Sequence, residues 1–342
     1  MRRRIFLVLF LSLIAIMFYY WPLITYGVGQ GWGQLKIIRD ARPVEEFLAD
    51  PTFPDSLKAR LRLIQAARKF AIDSLGLNNT DNYTSLYDQK GEEIMWVIIA
   101  CEPFRLVEKR WDFPVIGSVP YKGFFDKAKA QRERDVLEKE GWDVGVRNRD
   151  GWSTLGWFTD PILSGMLRRS EGDLASLIIH EMVHATIYVK DSSDFNENLA
   201  SFIGDRGAEL FLLRAFGDTS RQYQEYIHQD GDYRKVVDHM LRATRKLDSV
   251  YQSMSDDEPL DARKERKEKF IRHIVEQFDT IRFSDGRRRS SRFARRLPNN
   301  TYFMSFRTYE SKHDTMLDAW NEQFDRDLRK MINYYRDVYP SL

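Results

Sequence analysis

The stretch Leu174-Ala175-Ser176-Leu177-Ile178-Ile179-His180-Glu181-Met182-Val183-His184 decides how this chain is read. Leu174, Leu177, Ile178, Ile179, Met182, Val183 and Ile187 make a proline-free apolar helix, the composition of a segment buried beneath a cleft. Residues at i and i+4 share one helical face, so His180 and His184 turn both imidazoles toward one point. Glu181 follows the first histidine directly and lands beside that point, within reach of a water proton. The spacing predicts a metal site with its own general base. The plainer alternative is a buried helix with two hydrogen-bonded histidines, and the segment after His184 weighs against it.

A catalytic zinc takes three protein ligands and keeps a fourth position open for water. Asp194 to Glu209 reads as a second helix, capped by Asp194 or Asn196 and entered through a turn at Lys190 to Ser193. Glu197, Ala200 or Ser201, Gly204 and Ala208 fall on one stripe of it. Small residues there let the helix press against a neighbour, with Glu197 at the head of the stripe. The expected site is therefore His180, His184 and Glu197 around one zinc per chain, with Glu181 as the base and Glu209 as the reserve ligand. The competing reading makes Glu197 a surface carboxylate and the stripe simple packing.

With these residues in place, the chain resembles a known family. Ser153-Thr154-Leu155-Gly156-Trp157-Phe158, Asp160-Pro161, His180 to His184, Phe195-Asn196-Glu197 and Gly204-Asp205-Arg206-Gly207-Ala208 are similar to the signature of the bacterial predicted-aminopeptidase family, zincin-like and membrane-associated. Gly117-Ser118-Val119-Pro120-Tyr121-Lys122-Gly123-Phe124-Phe125-Asp126 and Pro298-Asn299-Asn300 extend the likeness over nearly the whole chain after its N-terminus. One departure is the missing lipoprotein cysteine, since the only cysteine is Cys101. The resemblance implies zinc-dependent peptide hydrolysis. It also implies that Trp152 to Thr159 is a strand that pairs with extended substrate, which makes Ser153, Leu155 and Gly156 candidate substrate contacts; an ordinary core strand is the alternative. Tyr121, Tyr302 and Tyr309 are candidates for the donor to the tetrahedral oxyanion.

Composition agrees with an enzyme. The chain has 342 residues, 43% of them hydrophobic and 13% aromatic, enough for a substantial core. A net charge of +2 gives no reason to expect nucleic acid as a partner. A single cysteine excludes an intramolecular disulfide, and Cys101, after Met95-Trp96-Val97-Ile98-Ile99-Ala100, reads as part of a buried strand. His228, His239, His273 and His313 lack ligand spacing and are assigned no metal.

Arg2-Arg3-Arg4 precedes an apolar run from Ile5 to Trp21 with no small-residue cleavage site after it. That run is about long enough to cross a bilayer core, and the arginines favour a cytoplasmic N-terminus. Residues 1–25 are therefore expected to form an uncleaved transmembrane signal anchor, with a removed signal peptide as the alternative. Residues 26–342 are expected to form the extracytoplasmic domain: α+β, predominantly helical and zincin-like, with a small sheet beside the metal helix and a helical part from about 216 to 342.

Within that domain, Leu57, Leu61, Ile64, Ala67, Ala71 and Leu75 carry helical spacing, as do residues 127–140. Met95 to Cys101 and Phe113 to Val119 read as strands, and Asp160-Pro161 as a turn. Val237, Met240 or Leu241, Thr244, Leu247 and Tyr251 form one helical stripe, and Phe270, Ile274, Phe278 and Ile281 another, separated by Ser255 to Pro259. Leu317, Trp320, Phe324, Leu328, Met331 and Tyr335 mark one closing amphipathic helix. The mixed run Arg263 to Lys269 is a solvated face, and the basic run Arg287 to Arg296 is either a solvated loop or a contact for lipid headgroups or acidic substrate. The reading is a membrane-anchored zinc metallopeptidase acting on peptides, most simply an aminopeptidase. An envelope endopeptidase with the same centre and a non-enzymatic envelope protein with a retained metal site are the alternatives.

Overall fold

A computed structural model describes residues 17–113, 117–148, 159–190, 192–286, 293 and 296–339, together with residues 3, 6, 10 and 11. Helix α1 (Trp21–Asp40) carries Pro22 in its first turn, where a missing amide hydrogen leaves no bond unmade. The expected boundary at residue 25 falls inside this helix. Most of the apolar run Ile5 to Trp21 lies outside the described residues, and among those described no helix is long and apolar enough to cross a membrane.

β1 (Arg42–Pro43) and α2 (Val44–Ala49) lead to α3 (Asp55–Phe70). Its stripe of Leu61, Ile64 and Ala67 is fully buried and continues as Ala71 and Leu75 through a π turn that ends at Gly76. β2 (Ser85–Tyr87) lies between antiparallel β1 and parallel β8 (Ile162–Leu163) in a three-stranded sheet. Asp160 and Pro161 run into β8 rather than making a surface turn: Asp160 is buried, its N–H donates to Asn82 Oδ1 at 2.9 Å and its carbonyl accepts from Tyr83 N at 2.7 Å.

The second sheet places β3 (Trp96–Cys101) between β6 (Lys122–Phe124) and β7 (Asp143–Asn148), both antiparallel to it. α4 (Lys127–Lys139) starts at the cap Asp126, whose carboxylate accepts from Lys129 N at 3.0 Å, and packs Ala130 and Leu137 against Ile98, Ala100 and Val144. The expected strand from Phe113 to Val119 is instead two strands, β4 (Trp111–Phe113) and β5 (Gly117–Val119), which pair antiparallel in register Trp111 to Val119. Gly117 has φ +77°, and the antiparallel pairing of β4 with β5 shows the chain reversing where alternation alone suggested continuity. The expected substrate strand, with Ser153, Leu155 and Gly156, lies outside the described residues but for Thr159.

The helical remainder forms two cores. The helix of His180 and His184, α5 (Glu171–His184), and its partner α6 (Ser193–Phe216) share the first core with α3, while α7 (Arg221–Gln252), α8 (Leu260–Gln277) and α9 (Asn300–Glu310) build the second around Met240, Leu247, Ile274, Phe278 and Phe303. The closing helix is two helices, α10 (His313–Glu322) and α11 (Leu328–Val338), because the chain reverses at Asp325 and Arg326, which have φ +51° and +60°. Asp327 then restarts the helix by accepting from Arg329 N at 2.8 Å and Lys330 N at 3.2 Å. This break lets Met316, Phe324, Leu328 and Met331 all return to the first core.

Candidate metal centre

Ser170 caps α5 by accepting from Asp173 N at 3.2 Å, and the helix buries Leu174, Ile178, Ile179, Met182 and Val183 almost completely. This packing sets the rotation of α5 and brings His180 and His184 to the side facing α6. The two Nε2 atoms are 3.1 Å apart. Glu197, in the first turns of α6, sets Oε2 3.5 Å from His180 Nε2 and Oε1 3.8 Å from His184 Nε2. These three residues are the group among the described residues able to hold a metal, their ligand atoms lying within 4.8 Å of one another. Nitrogen and oxygen ligands at about 2.0–2.2 Å in a tetrahedron have edges of about 3.4 Å, so the donor set fits zinc in both chemistry and span.

The electrostatics follow from burial. Desolvation works to raise the Glu197 carboxyl, but hydrogen bonds and charge from His180 and His184 outweigh it and hold the group well below the usual carboxylate range. Burial works to lower His184, and Glu197 overcomes it, so the imidazole is raised. Glu181 is 9% exposed, with buried Tyr83 in its electrostatic range. Tyr83 has φ +63°, a left-handed conformation for a bulky residue, in a loop that Asn78 ties to the end of α5. Asn78 donates from N to Thr186 Oγ1 at 3.0 Å and from Nδ2 to the Ala185 carbonyl at 3.2 Å.

Twelve residues separate His184 from Glu197, which demands an abrupt reversal. Neither Asp194 nor Asn196 caps α6 as expected; both lie inside it, and the cap position is Ser192. Asn196 serves the turn from within the helix: its side chain accepts from Val189 N at 2.9 Å and donates to the Val189 carbonyl at 2.8 Å. Asn198 fixes the other side, donating to the Thr308 carbonyl at 2.6 Å and accepting from Lys312 N at 2.8 Å. Glu197 is thus held between two asparagines whose amides bind backbone.

The small stripe works as expected. A Cβ on Gly204 would meet the Ser176 carbonyl at 3.0 Å and His180 Cβ at 3.1 Å, while Ala200 and Ala208 are fully buried. Behind it, Ser176 donates to Asp205 at 2.9 Å, and Arg234 joins Asp205 at 2.6 Å to Glu310 at 2.7 Å. That network ties α5, α6, α7 and α9 into one frame. Glu209 points into it and pairs with Arg206 at 2.5 Å.

A family model described as "Putative aminopeptidase" matches residues 25–339. The chain belongs to that family. No curated protein matches it, and no solved structure does. For a member of this aminopeptidase family, the cavity of about 50 Å³ between β3 and α9 is of interest, because Tyr121 and Tyr309 line it together with Glu108 and Arg147. Burial raises the Glu108 carboxyl, which accepts from Thr308 Oγ1 at 3.1 Å. The same Thr308 offers its carbonyl to Asn198, so Tyr309 belongs to the end of α9 that touches the Glu197 segment. Tyr302 packs instead with Phe293, Phe303 and Phe306, in the second core. Glu108 and Arg147 carry no motif in the sequence; only the sheet brings them together. Cys101 is buried, with its thiol pushed up to about 12 by burial, which suits packing and not nucleophilic attack.

Gly204 supplies a test of the frame. Gly204→Ala is expected to cost about 1–3 kcal/mol of unfolding free energy, because the methyl meets backbone. Gly231→Ala, on α7 with nothing within 4 Å, is expected to stabilise by about 0.5–1 kcal/mol in the same denaturant titration.

Proposed function

We propose that this protein is a zinc-dependent aminopeptidase of the cell envelope, with His180, His184 and Glu197 as zinc ligands and Glu181 as general base. The convergence of three ligand atoms within 4.8 Å beside a buried glutamate carries the reading. A bound zinc supplies Lewis acidity to the scissile carbonyl and brings the pKa of a water toward neutrality. Glu181 takes the proton of the attacking water and delivers it to the departing amine. Glu197 balances the charge of the site and orients both imidazoles. Tyr309 and Tyr121, which line the β3–α9 cavity, are proposed to steady the developing oxyanion, and Glu108 in the same lining is proposed to receive a peptide's α-ammonium. Ser153, Leu155 and Gly156 remain the proposed strand contacts to substrate. The N-terminal segment holds the protein at the membrane, with its first residues cytoplasmic and the catalytic part outside.

The test is a peptide-library digest by the purified, metal-replete protein, with free and N-acetylated peptides side by side and metal content measured in parallel. One zinc per chain and cleavage confined to free N-termini are expected. Equal cleavage of acetylated peptides makes the protein an endopeptidase. Stoichiometric metal without cleavage makes the site non-catalytic, and absence of stoichiometric metal removes the whole reading.

A further inference from the structure

Helix α1 has its polarity reversed. Its packed side carries Tyr26, Gln30, Gly33, Gln34 and Ile37, including a glutamine that is 8% exposed. Its outward side carries Trp21, Ile24, Val28, Trp32 and Leu35, each 43–68% exposed. These five recur at three- and four-residue steps and form one apolar stripe about 21 Å long at the helical rise. A contiguous outward stripe of this kind marks a surface that meets something other than water.

We infer that the outward face of α1 lies in the headgroup boundary of a bilayer and docks the catalytic domain on the membrane at a fixed orientation. The inference rests on the membrane-anchor reading and adds a second membrane contact to it. The stripe begins where the apolar run Ile5 to Trp21 ends, so the surface that receives that run adjoins the face of α1. Aromatic side chains, which favour the membrane–water interface, crowd its start, where Phe18, Tyr19, Tyr20 and Trp21 are all exposed, and recur at Trp32. Charge agrees: residues 1–39 contain no aspartate or glutamate, and Lys36 closes the outward side, complementary to anionic lipid, while Arg39 beyond it pairs with Asp40 at 2.8 Å.

The helix is fixed to the domain, so whatever it rests on orients the domain too. Tyr26 donates to the Gly123 carbonyl at 2.9 Å and stacks on Phe113 with centroids 5.5 Å apart. Gly33 admits the Phe125 ring, which any Cβ there would strike. A second copy of the chain fits the face less well. Gly27 and Gly31 would allow close approach, with nothing within 4 Å of an added Cβ. However, two copies pairing through this face with α1 in parallel would set Lys36 against Lys36.

The experiment uses the full chain reconstituted in phosphatidylethanolamine–phosphatidylglycerol vesicles. Val28→Cys and Leu35→Cys carry an environment-sensitive fluorophore, and Leu260→Cys at the start of α8 is the control. Flotation reports the anchor separately. In floated protein, labels at 28 and 35 are expected to lose about half their emission to lipids spin-labelled in the upper acyl chain, while the label at 260 loses none. Unquenched, water-like emission at 28 and 35 in floated protein overturns the inference and leaves the anchor standing. Protein that fails to float overturns both. Unquenched emission with energy transfer between differently labelled copies assigns the face to a second copy and overturns the lipid contact.

Discussion

Replacing Glu181 by Gln is expected to leave one zinc per chain and lower kcat/KM on a free-amino peptide by about 10²–10⁴-fold, the range of a lost general base. Glu181 sits in α5 between the two histidines but is not part of the three-residue ligand cluster, so its replacement spares the donor set. Glutamine keeps the size of the buried side chain and still fills the space near Tyr83, so the helix has no reason to repack. It cannot accept the water proton at neutral pH. Elemental analysis beside steady-state kinetics separates the two roles. Full activity of Glu181→Gln would remove the proposed mechanism, and loss of metal would make Glu181 a ligand.

The helix that carries His180 and His184 was legible because its information is local: the i, i+4 histidines and their apolar flanks need only the pitch of a helix. The approach of Glu197 to the two histidines was legible because Ala200, Gly204 and Ala208 announce a close helix pair before any contact is seen. What held the turn together was harder to read. Asn196 looks like a cap in sequence, yet its amide binds Val189 N and O from inside the helix, a pairing that depends on the path of the turn. The split between α10 and α11 escaped because the apolar period survives the break: a reversal at two left-handed residues returns Phe324 and Leu328 to the same core. The frame of Ser176, Asp205, Arg234 and Glu310 spans elements far apart in the chain, and each residue alone reads as an ordinary surface group.

Glu197→Ala is expected to weaken zinc binding by more than about 10²-fold, since even residues that merely orient ligands cost 10–100-fold when lost. Activity should disappear with the metal. Glu209→Ala is the matched control. Glu209 stands about 18 Å further along the same helix at the standard rise and pairs with Arg206 instead of a histidine. Arg206 keeps Asp230 at 2.6 Å when Glu209 is removed, so metal content should stay near one per chain and stability within about 1 kcal/mol. Competition with a chromophoric chelator gives the zinc affinities, and denaturant unfolding shows whether either protein is misfolded. A normal affinity for Glu197→Ala would disconnect the carboxylate from the metal despite its 3.5 and 3.8 Å approaches to the imidazoles. Loss of metal in Glu209→Ala would require α6 to slide by about three turns against α5. The close approach at Gly204 opposes that slide, because a larger residue brought to its place would enter space where even a Cβ meets the Ser176 carbonyl at 3.0 Å and His180 Cβ at 3.1 Å.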